Sequence, residues 1–254
     1  MSGPTPPPSP TPDPRWPRLL AGLRRLVRSD WLLPRRCLVC DEAGDAGRDL
    51  CEACRQALPV LRSACRRCAL PLPLPGVCGH CQRHPPALDA AHAAFLYAPP
   101  LDRLLPRLKF HRDLPAGRLL SGLMIEAFAG LPRPQALVPV PLHRARLRRR
   151  GYDQALELAR PLARAFDVPL LRNGLVRTRA TSAQSDLDAP DRRRNLRGAF
   201  ALGRDLVHAA PILPDHVVLV DDVMTTGSTL EAAARVLRLS GVHRVDAWVC
   251  ARVP

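Results

Sequence analysis

The sequence predicts an α/β protein preceded by a small cysteine-rich module, and three observations carry that expectation. An apolar run at residues 217–220 ends in the paired acids Asp221 and Asp222, and a Thr/Gly/Ser turn then opens a helix from Leu230 toward Ser240. Upstream, strand-like apolar segments alternate with stretches of helical period. Between Cys37 and Cys81 stand four Cys-x-x-Cys pairs.

A chain of 254 residues can bury a sizeable core in one or two domains. It carries 38 Lys and Arg against 23 Asp and Glu, a formal net charge of +15. Such a charge attracts a polyanion, either nucleic acid or a phosphorylated metabolite, although codon bias also yields arginine-rich surfaces. Every residue of the Lys and Arg class except Lys109 is arginine, a hint that a compact ammonium is needed there. No apolar run is long enough to span a bilayer, and no charged stretch followed by an apolar one opens the chain. A soluble, cytoplasmic protein without a membrane span is expected.

Taken in order, residues 1–17 hold eight prolines and little to bury, which reads as a disordered or polyproline tail. In residues 18–34, Leu19, Leu20, Leu23, Leu26 and Val27 recur at helical spacing between arginines. That basic amphipathic helix is expected to pack on its own domain rather than lie on a membrane.

Residues 35–86 contain Cys37, Cys40, Cys51, Cys54, Cys65, Cys68, Cys78 and Cys81. Each pair can offer two thiolates to one tetrahedral metal, so the four pairs match two Zn²⁺ ions. Disulfides are disfavoured without a secretion signal, and iron–sulfur ligation by the even spread of the pairs. The spacing leaves a sequential and an interleaved grouping open, and two ribbons in tandem are the expected form. With two Zn²⁺ and eight thiolates the charge falls to roughly +11. Cys250 sits in a late apolar strand and reads as inert core.

Residues 87–254 read as the α/β part. Residues 93–97 suit a strand, and 101–110 and 115–129 suit helices, the first short or kinked because of Pro106. Residues 136–142 suit a strand whose prolines place it at an edge. Arg144, Arg146, Arg148, Arg149 and Arg150 then precede Gly151 and a helical pattern beginning near Ala155. That run offers a second anion site, suited to a pyrophosphate, with Arg144, Arg148 and Arg150 as candidate ligands; a solvated face is the alternative. The segment from Val176 to Phe200, with Arg177 and Arg179 at its start, reads as a loop and hairpin strand that could act as an arginine-bearing lid. Residues 244–251 supply a last strand.

The 217–230 stretch is the most specific. Backbone N–H groups of its turn and the positive end of the helix suit a phosphate dianion. Thr225, Thr226, Ser228 and Thr229 add hydroxyl donors, and Gly227 lets the backbone come close. Asp221 and Asp222 stand where ribose hydroxyls or a hydrated Mg²⁺ need acceptors. An ordinary capped turn is the plainer reading, and the doubled acid directly after an apolar strand weighs against it.

This stretch resembles the 5-phosphoribosyl-1-pyrophosphate (PRPP) loop of type I phosphoribosyltransferases. With the paired cysteines, Leu108-Lys109-Phe110, Val138-Pro-Val-Pro-Leu142, Arg150-Gly-Tyr-Asp-Gln154, Arg177-Thr-Arg-Ala-Thr181, Gln184, Arg194-Asn195 and Asp221 through Thr229, the chain is similar to the ComF family of competence-associated, phosphoribosyltransferase-like proteins over about residues 30–253. Asp153 departs from it, standing where the family usually carries Asn. The resemblance implies a type I phosphoribosyltransferase-like twisted parallel sheet with a small N-terminal zinc-ribbon domain, and a ligand at the C-terminal strand ends. It implies PRPP bound with Mg²⁺, the phosphate on Thr225 to Thr229, the ribose on Asp221 and Asp222, and the pyrophosphate among the arginines. Asp221, Asp222, Arg177, Arg179 and Lys109 are then the candidate catalytic residues. Two functions follow: transfer of a phosphoribosyl group to an unidentified nitrogen acceptor, or a non-catalytic, PRPP-sensing role with single-stranded DNA or competence proteins as partners. Aromatic residues, 4% of the chain, give few stacking platforms for a dedicated single-strand binder.

Overall fold

A computed structural model describes residues 35–45, 47–111, 113–179, 198–209 and 213–254. The proline-rich stretch, the basic helix and residues 180–197 of the expected lid lie outside the described residues.

In chain order the elements are α1 (Glu52–Gln56), α2 (Gly79–Arg83), β1 (Ala90–Leu96), α3 (Leu101–Phe110), α4 (Leu114–Phe128), β2 (Ala136–Pro139), α5 (Arg144–Arg150), α6 (Gln154–Ala165), β3 (Leu175–Arg177), β4 (Phe200–Leu202), α7 (Arg204–Ala209), β5 (His216–Met224), α8 (Ser228–Leu239) and β6 (Arg244–Arg252). Four strands form one sheet in the order β1-β6-β5-β2, with every pair parallel. β3 and β4 form a separate antiparallel pair. β2 lies at the edge of this sheet, where Pro139 is tolerated, and on its outer side Leu137 makes an isolated parallel bridge with Leu170.

β5 explains why the sheet has helices on both faces. Successive side chains of a strand point opposite ways. Val218 and Val220 join one core with Leu120, Met124 and Phe128 of α4 and Leu158 and Leu162 of α6, while Val217 and Leu219 join another with Leu230, Ala233, Ala234 and Leu237 of α8. A strand buried on both sides must be apolar throughout, which is what residues 217–220 are. Trp248 of β6 fills the first core, its ring centroid 5.2 Å from that of Phe128 and 5.0 Å from that of Phe166.

The cysteine-rich module packs directly against this sheet. Cys37, Leu50 and Leu58 lie in the same core as Phe95 and Trp248. Leu61 N–H donates to Ala94 O at 3.1 Å, Leu96 N–H donates to Pro59 O at 2.8 Å, and Val60 bridges Phe95 antiparallel. The module thereby covers the outer edge of β1, which would otherwise expose unpaired backbone groups.

Several boundaries differ from the sequence reading. β5 runs through both acids to Met224 instead of stopping at them, because its neighbour β6 continues pairing as far as Arg252. The helix after the turn starts at Ser228, ahead of Leu230. Pro106 neither shortens nor ends α3: it removes one N–H, and burial of Leu101, Leu104, Leu105 and Leu108 outweighs that loss. The arginine run is the helix α5, closed by Gly151 at φ 85°.

Candidate functional site: an acid pair with a glycine turn, and two cysteine clusters

The C-terminal end of β5 carries Asp221 and Asp222, then Thr225 and Thr226 in the exposed turn, then Gly227, Ser228 and Thr229 at the start of α8. Gly227 takes φ 77°, a left-handed backbone that favours glycine, and a Cβ there would come within 2.5 Å of Met224 Cε, the movable end of that side chain. Gly227, the N-cap residue, offers no side chain to cap α8. This is the end where the helix dipole favours an anion. Thr226 Oγ1 lies 2.8 Å from Ser228 Oγ and accepts from Ser228 N–H at 3.4 Å, which holds the two hydroxyls side by side at the turn.

The two acids are buried. Asp222 N–H donates to Asp221 Oδ1 at 2.9 Å. Burial, then the charge and carboxyl of Asp222, push Asp221 well above the usual carboxylate range. Lys109, at the end of α3, brings Nζ to 3.1 Å from Asp222 Oδ2. The chain's single lysine thus neutralises the deeper acid. Behind them Cys250 is fully enclosed and its thiol is pushed up by burial and then by Asp222, consistent with inert core.

Of the arginines in α5, Arg146 and Arg150, one helical turn apart, are half-buried, and Arg144, Arg148 and Arg149 are exposed. Burial, then Arg150 and Arg149, hold the Arg146 guanidinium below its ordinary value. Arg177, opposite Phe200 in the β3–β4 pair, places Cζ 5.4 Å from that ring's centroid. Burial and then Arg146 lower its value, and Asp221 opposes them. Arg146, Arg177 and Asp221 are therefore electrostatic neighbours. Arg146 was not among the candidate ligands of the sequence reading, although its spacing from Arg150 places both on one side of α5. Arg179 is exposed at the boundary of the undescribed segment.

Arg150 donates to Gln154 Oε1 at 2.6 Å and stands over Phe110, 5.5 Å from the ring centroid. Asp153 caps α6: its carboxylate accepts from Ala155 N–H at 3.0 Å, Leu156 N–H at 3.2 Å and Leu142 N–H at 3.2 Å. These bonds account for an acid where the resembled family carries Asn. Burial still outweighs them and raises its pKa.

The eight cysteines group sequentially, Cys37 with Cys40, Cys51 and Cys54, and Cys65 with Cys68, Cys78 and Cys81. The sulfurs of each set lie within 4.8 Å of one another. Cys40 and Cys51 sulfurs are 3.6 Å apart and those of Cys68 and Cys78 are 3.7 Å apart. Tetrahedral Zn²⁺ with bonds of about 2.3 Å requires sulfur separations of roughly 3.8 Å, so both sets fit a structural zinc ion. Burial raises the Cys37 thiol, but backbone N–H groups of Cys51, Cys40 and Val39 outweigh it and bring the thiol to about 6; Cys65 reaches about 7 in the same way. Among the described residues no helix is long and apolar enough to cross a membrane.

Comparison with known proteins agrees with this division. Residues 28–82 match a double zinc ribbon domain and residues 153–254 a phosphoribosyl transferase domain. The chain is similar to the DNA utilization protein YhgH of Escherichia coli O157:H7, 35% identical over 230 residues, covering 87% of this chain and 98% of that one. It is 36% identical over 225 residues to competence protein F of Haemophilus influenzae, covering 85% and 96%. Competence protein ComFC of Bacillus subtilis is 26% identical over 204 residues, covering 76% and 79%. With a double zinc ribbon, a phosphoribosyltransferase domain on a parallel sheet and this identity over most of its length, the chain belongs to the ComF family.

Proposed function

We propose that the site binds PRPP with Mg²⁺ and transfers its phosphoribosyl group to a nitrogen acceptor, releasing pyrophosphate. The observation that carries this reading is the succession along one strand and helix of a buried acid pair, a glycine turn lined with hydroxyls and a helix N-terminus. The turn hydroxyls and α8 amides receive the 5′-phosphate, and Asp221 and Asp222 accept from the ribose hydroxyls. Mg²⁺, held by the pyrophosphate together with the acid pair, would offset part of the leaving group's charge. Arg146, Arg150 and Arg177 supply the remaining positive charge on the pyrophosphate side. As the bond from C1′ to the pyrophosphate oxygen lengthens, cationic character grows on the sugar and negative charge on the leaving group. A fixed set of charges stabilises both without solvent reorganisation. The acceptor nitrogen attacks C1′, and no covalent enzyme intermediate is required. Lys109 pairs with Asp222 and holds it in place for the ribose.

The names of the relatives support a link to competence and DNA utilization, with DNA or competence proteins as partners. Thiols grouped for metal rather than paired as disulfides support a cytoplasmic location.

Titration calorimetry with PRPP and Mg²⁺ tests the site, and pyrophosphate release across a panel of bases and amines tests the reaction. Absence of binding would overturn the reading. Tight binding without turnover on any acceptor would instead favour a PRPP-sensing, non-catalytic protein.

A further inference from the structure

Arg252, the last residue of β6, is buried and joins two parts of the protein that the chain order keeps apart. Its Nε donates to Cys68 O at 2.9 Å. Its Nη1 donates to Met224 O at 3.3 Å and also to Val253 O. Cys68 belongs to the second cysteine cluster, and Met224 is the last strand residue before the phosphate loop. A planar guanidinium with donors in a fixed fork can serve both carbonyls at once, which an ammonium on a flexible stem cannot.

Three further observations place the second cluster behind the loop. Ala69, next to Cys68, is fully buried in the core that contains Met224 and Leu230 on either side of the turn. Ala69 holds φ 52°, a backbone conformation a non-glycine residue keeps only where its surroundings impose it, and its N–H donates to Cys65 O at 2.8 Å. On the far side of the turn, Glu231 in the first turn of α8 accepts from Ala87 N–H at 2.7 Å, just past the module. One flank of the turn is thus tied to the second cluster through Arg252, and the other to the segment that directly follows the module. Met224 in turn sets the space in which Gly227 sits.

We propose that Arg252 is a positioning residue through which metal occupancy of the Cys65, Cys68, Cys78 and Cys81 cluster sets the shape of the phosphate loop. A metal bound to the Cys68 sulfur holds the backbone of residue 68. Its carbonyl then holds the guanidinium, and the guanidinium holds Met224 O and the start of the turn. Coupling of this kind is reciprocal: if metal improves phosphate binding, a phosphate ligand must retain the metal by the same factor. The inference rests on the loop being a phosphate site, as proposed above.

The test uses full-length, zinc-loaded protein, the variants Arg252→Gln and Arg252→Lys, and ribose 5-phosphate as the probe. Hydrogen exchange is followed over residues 224–230 before and after chelation, and zinc loss to a chromogenic chelator is followed with and without the probe. In the parent protein, chelation should speed exchange of the turn, and saturating ribose 5-phosphate should slow loss of one zinc of the two by about fivefold or more. Arg252→Gln should show fast turn exchange with zinc still bound and no protection of zinc by the probe, and Arg252→Lys should fall between. A purely structural role for Arg252 would raise exchange throughout β6 and spare the zinc response to the probe. If the probe binds but neither effect appears in the parent protein, the coupling is wrong. If the probe does not bind at all, the phosphate site is wrong, and the response of turn exchange to chelation still decides whether the cluster shapes the turn.

Discussion

Lys109 Nζ and Asp222 Oδ2 stand 3.1 Å apart, one at the end of α3 and the other buried in β5. A buried carboxylate without a compensating charge is costly, so this pair should matter more than an exposed one. Lys109→Met is expected to lower stability by about 1–3 kcal/mol, since the ammonium is itself partly solvated. Adding Asp222→Asn should recover much of that loss, and thermal unfolding of the two single variants and the double variant measures the coupling. Additive effects would show that the two side chains do not act as a pair.

Asp221 gives a dependence of stability on pH. Its folded pKa is raised by burial and by Asp222 above the unfolded value of about 4. Stability from this group is therefore complete below that unfolded value and is lost as pH rises through the folded one. Asp221→Asn should flatten this loss and hold or raise the melting temperature at neutral pH. PRPP affinity should fall by about tenfold or more in the same variant, since a charge-assisted contact is worth roughly 1.5–3 kcal/mol. Unchanged affinity would mean that the acids serve the strand alone.

Arg177 and Thr226 should separate the two ends of the ligand. Arg177→Ala should weaken PRPP by about tenfold or more and leave ribose 5-phosphate nearly unaffected, because only PRPP carries the pyrophosphate. Thr226→Val should weaken both alike. Calorimetry with each ligand is the measurement, and equal losses in Arg177→Ala would place the pyrophosphate elsewhere.

Gly227→Ala should weaken phosphate binding at modest cost to the fold. The left-handed backbone imposes about 1–2 kcal/mol on alanine, while Met224 Cε is the flexible end of a side chain that can move. The expected result is a small drop in melting temperature with ribose 5-phosphate affinity reduced severalfold; full retention of affinity would show that the turn tolerates a Cβ and does not approach the ligand.

Two zinc ions per chain are expected by metal analysis of the purified protein. Because Cys37, Leu50 and Leu58 share a core with Trp248, chelation should broaden or lower the unfolding of the sheet as well as of the module. A sheet transition indifferent to chelation would contradict that shared core.

Cysteine spacing and the strand–acid–turn–helix succession were legible in the sequence because both are local. A Cys-x-x-Cys pair sets two thiolates at one metal, and residues 217–230 carry their strand, turn and helix signals within a single stretch. The resemblance carried by several motifs in order supplied the family, the parallel sheet and the zinc ribbons. The sequential grouping of the cysteines, by contrast, was decided by folding, since either grouping satisfies the spacing.

Long-range relations needed the tertiary structure. Lys109 meets Asp222, Arg177 meets Phe200, and Arg252 joins Cys68 to Met224 because strand order and helix packing bring distant segments together. No periodicity encodes those meetings. Likewise the run Arg144 to Arg150 could be read as a charge cluster, but only its helical turn and the position of α5 half-bury Arg146 and Arg150 and leave Arg144, Arg148 and Arg149 in solvent. Asp153 shows the same division: its charge was visible in the sequence, but its role as the cap of α6 depends on backbone N–H groups that only the folded chain presents to it.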